Sequence, residues 1–177
     1  INENSDKVVT NVNTKLIKTF KLDDDERRVN LFNKYCKNKN ILDFGCGFGE
    51  FLYKIKNAKS YSAVELREQC IKMIKSKKKI NITNNLDNFN KKFDLITMFH
   101  VLEHVPHQID TLKKIHSKLV KKGKVINEVP HAEEFMIIQD ELKEYRDFVF
   151  WSEHLILHTY KSLKEVLKKS GFKKIRI

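Results

Sequence analysis

The stretch ILDFGCGFGE, Ile41–Glu50, decides how the chain is read. Its first four residues have the apolar character of a buried strand, yet they include an acid, Asp43, two residues before the first glycine. Gly45, Gly47 and Gly49 then make a turn that leads into a helix. Glycine-rich turns after strands commonly bind ligands, and three classes compete. A nucleoside-triphosphate loop needs G-x-x-x-x-G-K-[ST], and this turn has no Lys-Ser/Thr. A dinucleotide fingerprint needs G-x-G-x-x-G, and here the spacing is one residue short. A carboxylate at the strand end would repel a pyrophosphate and suit an ammonium group instead.

A second acid extends the argument. Glu65 ends the next predicted strand, YSAVEL, eighteen residues beyond Gly47. A carboxylate there can accept both hydroxyls of a ribose. An adenosine that lacks phosphates and carries an amino acid is S-adenosyl-L-methionine.

The remaining composition sets limits. The 177 residues suit one domain, and 41% are apolar, so the chain can bury a core. No run approaches the roughly 18 apolar residues of a membrane-spanning helix, and no signal peptide is visible. The chain begins at Ile1 rather than Met, so an upstream segment is expected to be missing. The net charge of +12 invites a nucleic-acid reading, but only five of the 35 basic residues are Arg. Phosphate and base readers lean on Arg for bidentate contacts. The Lys, Asn and Ile excess is that of an AT-rich genome, and a solvated basic surface, Lys77–Lys79 included, is the favoured reading. Cys36, Cys46 and Cys70 form no C-x-x-C pattern, which points away from a disulfide framework or zinc knuckle and towards a reducing cytoplasm.

Outward from the turn, strands alternate with helices. Residues 1–22 are polar and weakly periodic, and the domain is expected from 23 to 177. Asp23–Lys37 reads as a helix burying Val29, Leu31, Phe32 and Tyr35. Strands are predicted at Ile41–Phe44, Tyr61–Glu65, Ile80–Thr83, Phe93–Phe99, Lys124–Val129 and Phe172–Ile177. Helices are predicted at Glu50–Lys56 (burying Phe51, Leu52 and Ile55), Arg67–Lys75 (burying Ile71 and Ile74) and Gln108–Lys121. The last places Ile109, Leu112, Ile115 and Leu119 inward and stops at Gly123. Ser162–Ser170 is a final helix, with a capping box from Ser162 to Glu165 and Gly171 past its end. Such alternation implies a mostly parallel sheet covered on both faces, with ligands at the carboxyl ends of its strands.

The sequence resembles the class I SAM-dependent methyltransferases from about Asp25 onward. LDFGCGFGEFL resembles the family's first motif, AVEL its second and KKFDLITMFHVLEHVPH its fourth, while LVKKGKVINEVPH resembles the entry to strand five. EHLILHTYKSLKEVLKKSGF resembles the tail of the branch found in bacterial sugar and surface-polysaccharide pathways. The resemblance implies a Rossmann-like α/β fold with a twisted sheet, whose antiparallel seventh strand would lie beyond Ile177. It also implies that Gly45, Cys46 and Gly47 run along the methionine of the cofactor and that Asp43 faces its amino group. Glu65 would take the ribose, Leu66 the adenine, and Phe99 and His100 would border the methionine and sulfonium. For the adenine amine the run TNNLDNF offers Asn84, Asn85 or Asp87, with Asn85 taken as the candidate. The product would be S-adenosyl-L-homocysteine.

Methyl transfer from an activated sulfonium needs positioning and exclusion of water, and a hydroxyl acceptor also benefits from a base. Histidine suits that role near neutral pH. His100-x-x-Glu103-His104 hints at a metal site, but Pro106 interrupts any regular helix there, and no metal is expected. His131 follows Pro130 at the end of strand five, and His154 lies in WSEHLILH; these two are the candidate bases, with His158 ranked below them. Residues 131–158 form a long aromatic-rich excursion, read as an acceptor-side lid.

The expectation is therefore a cytoplasmic enzyme with a small-molecule acceptor, such as a hydroxyl of a sugar or surface-polysaccharide precursor, or a phosphoryl-type oxygen. A homodimer is compatible with it. Alternatives are a methyltransferase for a quinone precursor or other metabolite, a nucleic-acid methyltransferase or binder, and a SAM-binding domain without catalysis. An N-methylating nucleic-acid enzyme would carry an N/D-P-P-Y-like motif after strand four, where this chain has HVLEHV.

Overall fold

A computed structural model describes residues 24–77, 79–133 and 153–176. Helix α1 (residues 24–36) leads into β1 (Asn40–Phe44), α2 (Glu50–Lys54), β2 (Ser60–Val64), α3 (Glu68–Lys77) and β3 (Ile80–Thr83). After these come β4 (Phe93–Phe99), α4 (Gln108–Ser117), β5 (Leu119–Glu128) and α5 (Tyr160–Lys169). The strands form a parallel sheet in the order β3-β2-β1-β4-β5. The order reverses at β1, so the crevice between the ends of β1 and β4 is the topological switch point.

Period-two alternation explains why β1 and β4 are apolar on both faces. Ile41 and Leu95 pack with Cys36, Phe51, Leu52 and Ile74 from the α1–α3 side. Leu42 and Ile96 pack with Leu112, Ile115 and Leu163 from α4 and α5. Pairing of Ile41 with both Tyr61 and Leu95 fixes the register that puts Asp43 at the carboxyl end, level with Ala63 and Thr97.

The structure corrects several expectations. On α1, Leu31 and Tyr35 are exposed, and the inward face is Asp25, Arg28, Val29, Phe32 and Cys36. That helix lays two charged residues over the strand ends, so its buried stripe is not purely apolar. The predicted helix Gln108–Lys121 ends at Ser117, because Leu119 already pairs with Phe93 and the Phe93 amide donates to the Lys118 carbonyl at 2.8 Å. β5 thus begins at Leu119 rather than Lys124. The ladder slips between Phe93 and Leu95, and Gly123 sits in that irregularity instead of stopping a helix.

The last helix also starts early. Thr159, extended at φ −81° and ψ 164°, is its N-cap, and Ser162 returns the bond as N3. Glu165 pairs with Lys168 at 2.8 Å instead of closing a box with Ser162. Gly171, at φ 98°, ends the helix as expected. The Phe172 amide then donates to Leu167, and the Phe172 ring packs edge-on to His116, 5.0 Å between centroids. This seats Phe172 against α4, and no strand forms over residues 172–176. Most of the expected lid, and the polar segment 1–22, lie outside the described residues. Among the described residues no helix is long and apolar enough to cross a membrane.

This packing predicts that Ile115→Ala should cost about 2–5 kcal/mol in denaturant unfolding. Leu31→Ala, at a side chain 48% exposed, should stay within about 0.5 kcal/mol.

Candidate functional site

The site begins with the glycine turn. Gly45 takes φ 77° and Gly47 φ 57°, and a Cβ at Gly45 would run into the Val101 side chain. Only glycine supplies both features cheaply. The amides of Gly45 and Cys46 donate to the Val64 carbonyl at 2.8 and 3.2 Å, binding the turn to the end of β2. The Cys46 thiol is pushed up by burial and nearby acids, so it is not a poised nucleophile.

Glu65 is clamped in place. Its Oε2 accepts the Gly47 amide at 2.8 Å, and its Oε1 accepts the amides of Leu66 and Arg67 at 3.0 Å each. The Arg67 guanidinium adds bonds of 3.0 and 3.3 Å. Burial alone would raise this carboxyl, but the hydrogen bonds and charge of Arg67 together with the Gly47 amide hold it below the usual carboxylate range. Next to it Leu66 is 79% exposed, an apolar surface without a protein cover.

Asp43 lies in the opposite state. It is 3% exposed, and its Oδ1 accepts the Thr97 hydroxyl at 2.7 Å. Burial pushes its pKa up to about 7, with the neighbouring charges of Asp25 and Glu65 adding to the rise against the Thr97 hydrogen bond and Arg28. Two carboxylates on adjacent strand ends are thus driven apart, one firmly ionised and one poised near neutrality.

The structure brings Asp43, Gly45, Cys46, Gly47, Glu65 and Leu66 into one corner. Asn85 is at the neighbouring edge, where its side-chain oxygen caps a 3₁₀ turn by accepting the Asp87 amide at 2.9 Å. The Phe99 ring lies against Phe32 and Phe51, with the Arg28 guanidinium 5.0 Å from its centre.

His100 takes a left-handed φ of 52° at the end of β4. Its Nδ1 is 3.2 Å from Glu103 and its Nε2 3.3 Å from Glu128. Burial lowers its pKa, but the two carboxylates outweigh burial and lift it to about 9, so both ring nitrogens are donors. Glu128, joined also by Arg27 at 2.9 Å and Arg28 at 2.6 Å, is held down at about 2 against its own burial.

The sequence reading missed this cluster, as it missed Thr97 and the clamp of Arg67. One signal was available: Arg27-Arg28 is the only adjacent Arg pair in a Lys-dominated chain, and arginine is the residue that forks onto carboxylates.

The candidate histidines separate. His131 pairs with His158 in a parallel bridge, its ring 4.3 Å from Tyr160, and its Nε2 is buried without a hydrogen bond. His154 lies 4.8 Å from the His104 ring, over the turn after β4. His158 is structural, with Nε2 2.8 Å from Gln108 Oε1 and Nδ1 3.1 Å from Ser162. Asn127 on β5 has a buried amide with neither polar atom bonded.

Comparison with known proteins bears on the fold and the family. Residues 20–177 match a family model described as a methyltransferase domain. A tRNA U34 carboxymethyltransferase of Aliarcobacter butzleri (strain RM4018) is 25% identical over 166 residues, 85% of this chain and 53% of that protein. The same enzyme of Campylobacter fetus subsp. fetus (strain 82-40) is 31% identical over 100 residues, 50% of this chain and 36% of that protein. The chain thus spans about half or less of these curated relatives. Among solved structures, the plantazolicin methyltransferase BpumL in complex with a pentazolic desmethylPZN analog and SAH superposes with a TM-score of 0.65 at 19% identity. The match covers 94% of this chain and 69% of that one. A SAM dependent methyltransferase from Archaeoglobus fulgidus gives 0.64 at 23% identity, covering 83% and 67%. At these identities the likeness is one of fold, the Rossmann-like sheet described above. With the family model covering all of the described sheet and its helices, the chain belongs to the methyltransferase-domain family.

Proposed function

We propose that the chain binds S-adenosyl-L-methionine at the ends of β1 and β2 and methylates a small-molecule acceptor. The observation that carries this reading is Asp43: a buried carboxyl near neutrality, bonded to a neutral hydroxyl, at the mouth of a glycine turn. A ligand ammonium there would favour the ionised form. Glu65 would take the ribose hydroxyls, Leu66 one face of the adenine, and the Gly45–Gly47 backbone the methionine. Phe99 and His100 would border the far side, and Asn85 the adenine edge. The cofactor would supply a methyl group already activated on sulfonium.

Arg67 bears on this arrangement, because it occupies the carboxylate that the ribose would use. Its side chain is 61% exposed, so its exchange for ribose hydroxyls costs little.

On the acceptor side, His131 is our candidate base, since its buried Nε2 lacks a partner. His154, set against Glu103 and His104, suits a different role. The acceptor class follows the resemblance of the tail: a hydroxyl of a sugar or surface-polysaccharide precursor, in a cytoplasmic enzyme. A second reading takes tRNA as acceptor. The curated relatives favour it, as does a hollow of about 430 Å³ at the opposite end of the sheet, where Lys34, Lys37, Lys39, Lys121, Lys122 and Lys124 gather.

Three outcomes are expected. Asp43 must ionise to receive an ammonium, so S-adenosylhomocysteine affinity should fall about 10-fold from pH 8 to pH 6 in calorimetry. Asp43→Asn should bind weakly and without that slope, and a pH-independent wild type would contradict the assignment. Glu65→Gln should weaken binding by at least about 10-fold, while Arg67→Ala should keep or improve it; equal losses in both would remove the ribose contact from Glu65. Labelled cofactor incubated with nucleotide sugars, polysaccharide intermediates and tRNA should label a small acceptor, about 100-fold less in His131→Asn at unchanged cofactor affinity. Label in tRNA alone would replace the first reading by the second, and label in none would leave cofactor binding without transfer.

A further inference from the structure

The turn after β4 brings together chemistry that methyl transfer does not require. Glu103 and His104 share a 3₁₀ turn, Leu102–His104, and His154 reaches them from fifty residues along the chain. One potential ligand atom from each lies within 4.8 Å of the others. The sequence reading set a metal aside because Pro106 interrupts the helix on which His100 and His104 would have to sit together. The structure removes that requirement. His100 faces Glu103 and Glu128 instead, and the second imidazole comes from a distant segment.

We propose that Glu103, His104 and His154 form a site for a divalent transition-metal ion. Glu103 is 0% exposed. Its Oε1 is 3.2 Å from His100, while its Oε2 is buried with no hydrogen bond. An unpaired carboxylate oxygen in the interior is costly, and a bound cation removes that cost.

His104 is prepared for the same role. Its Nδ1 lies 2.8 Å from the Glu153 carbonyl, to which only an N–H can donate. In the neutral ring Nε2 then carries the lone pair, the arrangement typical of metal-ligating histidine. The backbone holds the two halves of the site together. The Glu103 carbonyl accepts the amides of Leu155 at 2.8 Å and Ile156 at 3.2 Å, immediately after His154.

The donor set selects the ion. Two imidazoles and one carboxylate suit zinc, iron, cobalt or nickel better than magnesium or calcium, which prefer all-oxygen shells. Bonds of about 2.0–2.2 Å place ligand atoms roughly 3.3 Å apart, so the triangle must contract by about 1.5 Å, within the reach of small side-chain rotations. Three protein ligands leave a position open for water or for an oxygen of a bound molecule.

The test is a titration of the full chain with Co²⁺, followed by visible absorption, which reports the ligand field. One equivalent should bind with a nitrogen–oxygen spectrum and raise the melting temperature. His154→Ala and His104→Ala should each weaken binding at least about 10-fold. Glu103→Gln, which keeps the side-chain shape, should do the same and preserves the test if a histidine variant does not fold. Lack of one-equivalent binding, affinity unchanged by these substitutions, or a thiolate charge-transfer band from the cysteines would each overturn the proposal. None of these readings depends on whether methyl transfer occurs.

Discussion

The hydrogen bond from the Gly47 amide to Glu65, 2.8 Å long, is the constraint around which the carboxyl edge of the sheet is arranged. A turn with three glycines at positive φ has little conformational preference of its own. Anchoring its middle amide on a carboxylate of the next strand gives it one shape. Arg67 then completes the coordination of Glu65 and keeps it charged. Asp43, with no such help from a hydrogen-bonding cation, carries the cost of burial. The asymmetry between the two acids follows from the deep burial of Asp43 and from the hydrogen bonds and charge that Arg67 gives Glu65.

A second polar assembly closes the other side of the crevice. Glu128 at the end of β5 receives both Arg27 and Arg28 from α1, and His100 from the end of β4. Elements distant in sequence are thereby joined at the strand ends, where the apolar core no longer reaches. Glu128 stays charged because three cationic side chains share it, and its removal would take a partner from each of them.

The parts of this structure that were legible in the sequence are those governed by local period. β1 and β4 alternate between two apolar clusters, β3 turns Ile80 and Ile82 to one of them, and a run such as FDLITMF has no other economical reading. The glycine turn and its two acids were legible because glycine and carboxylate at strand ends carry specific physical meaning. The start of β5 was hidden because LVKKG continues a helical pattern, and only the pairing of Leu119 with Phe93 decides otherwise. The cap of α5 was misread by three residues because Thr159 and Ser162 are both competent caps. The separation of His131 from His154 rests on contacts with Tyr160 and His104 that no spacing rule encodes.

The parallel bridge between His131 and His158, reinforced by the Ala132 amide on the His158 carbonyl at 2.9 Å, has a mechanical consequence. It ties the chain just after β5 to the residue beside Thr159, the N-cap of α5. Whatever loosens one side of this tie loosens the other, so the end of β5 and the root of α5 share one local stability.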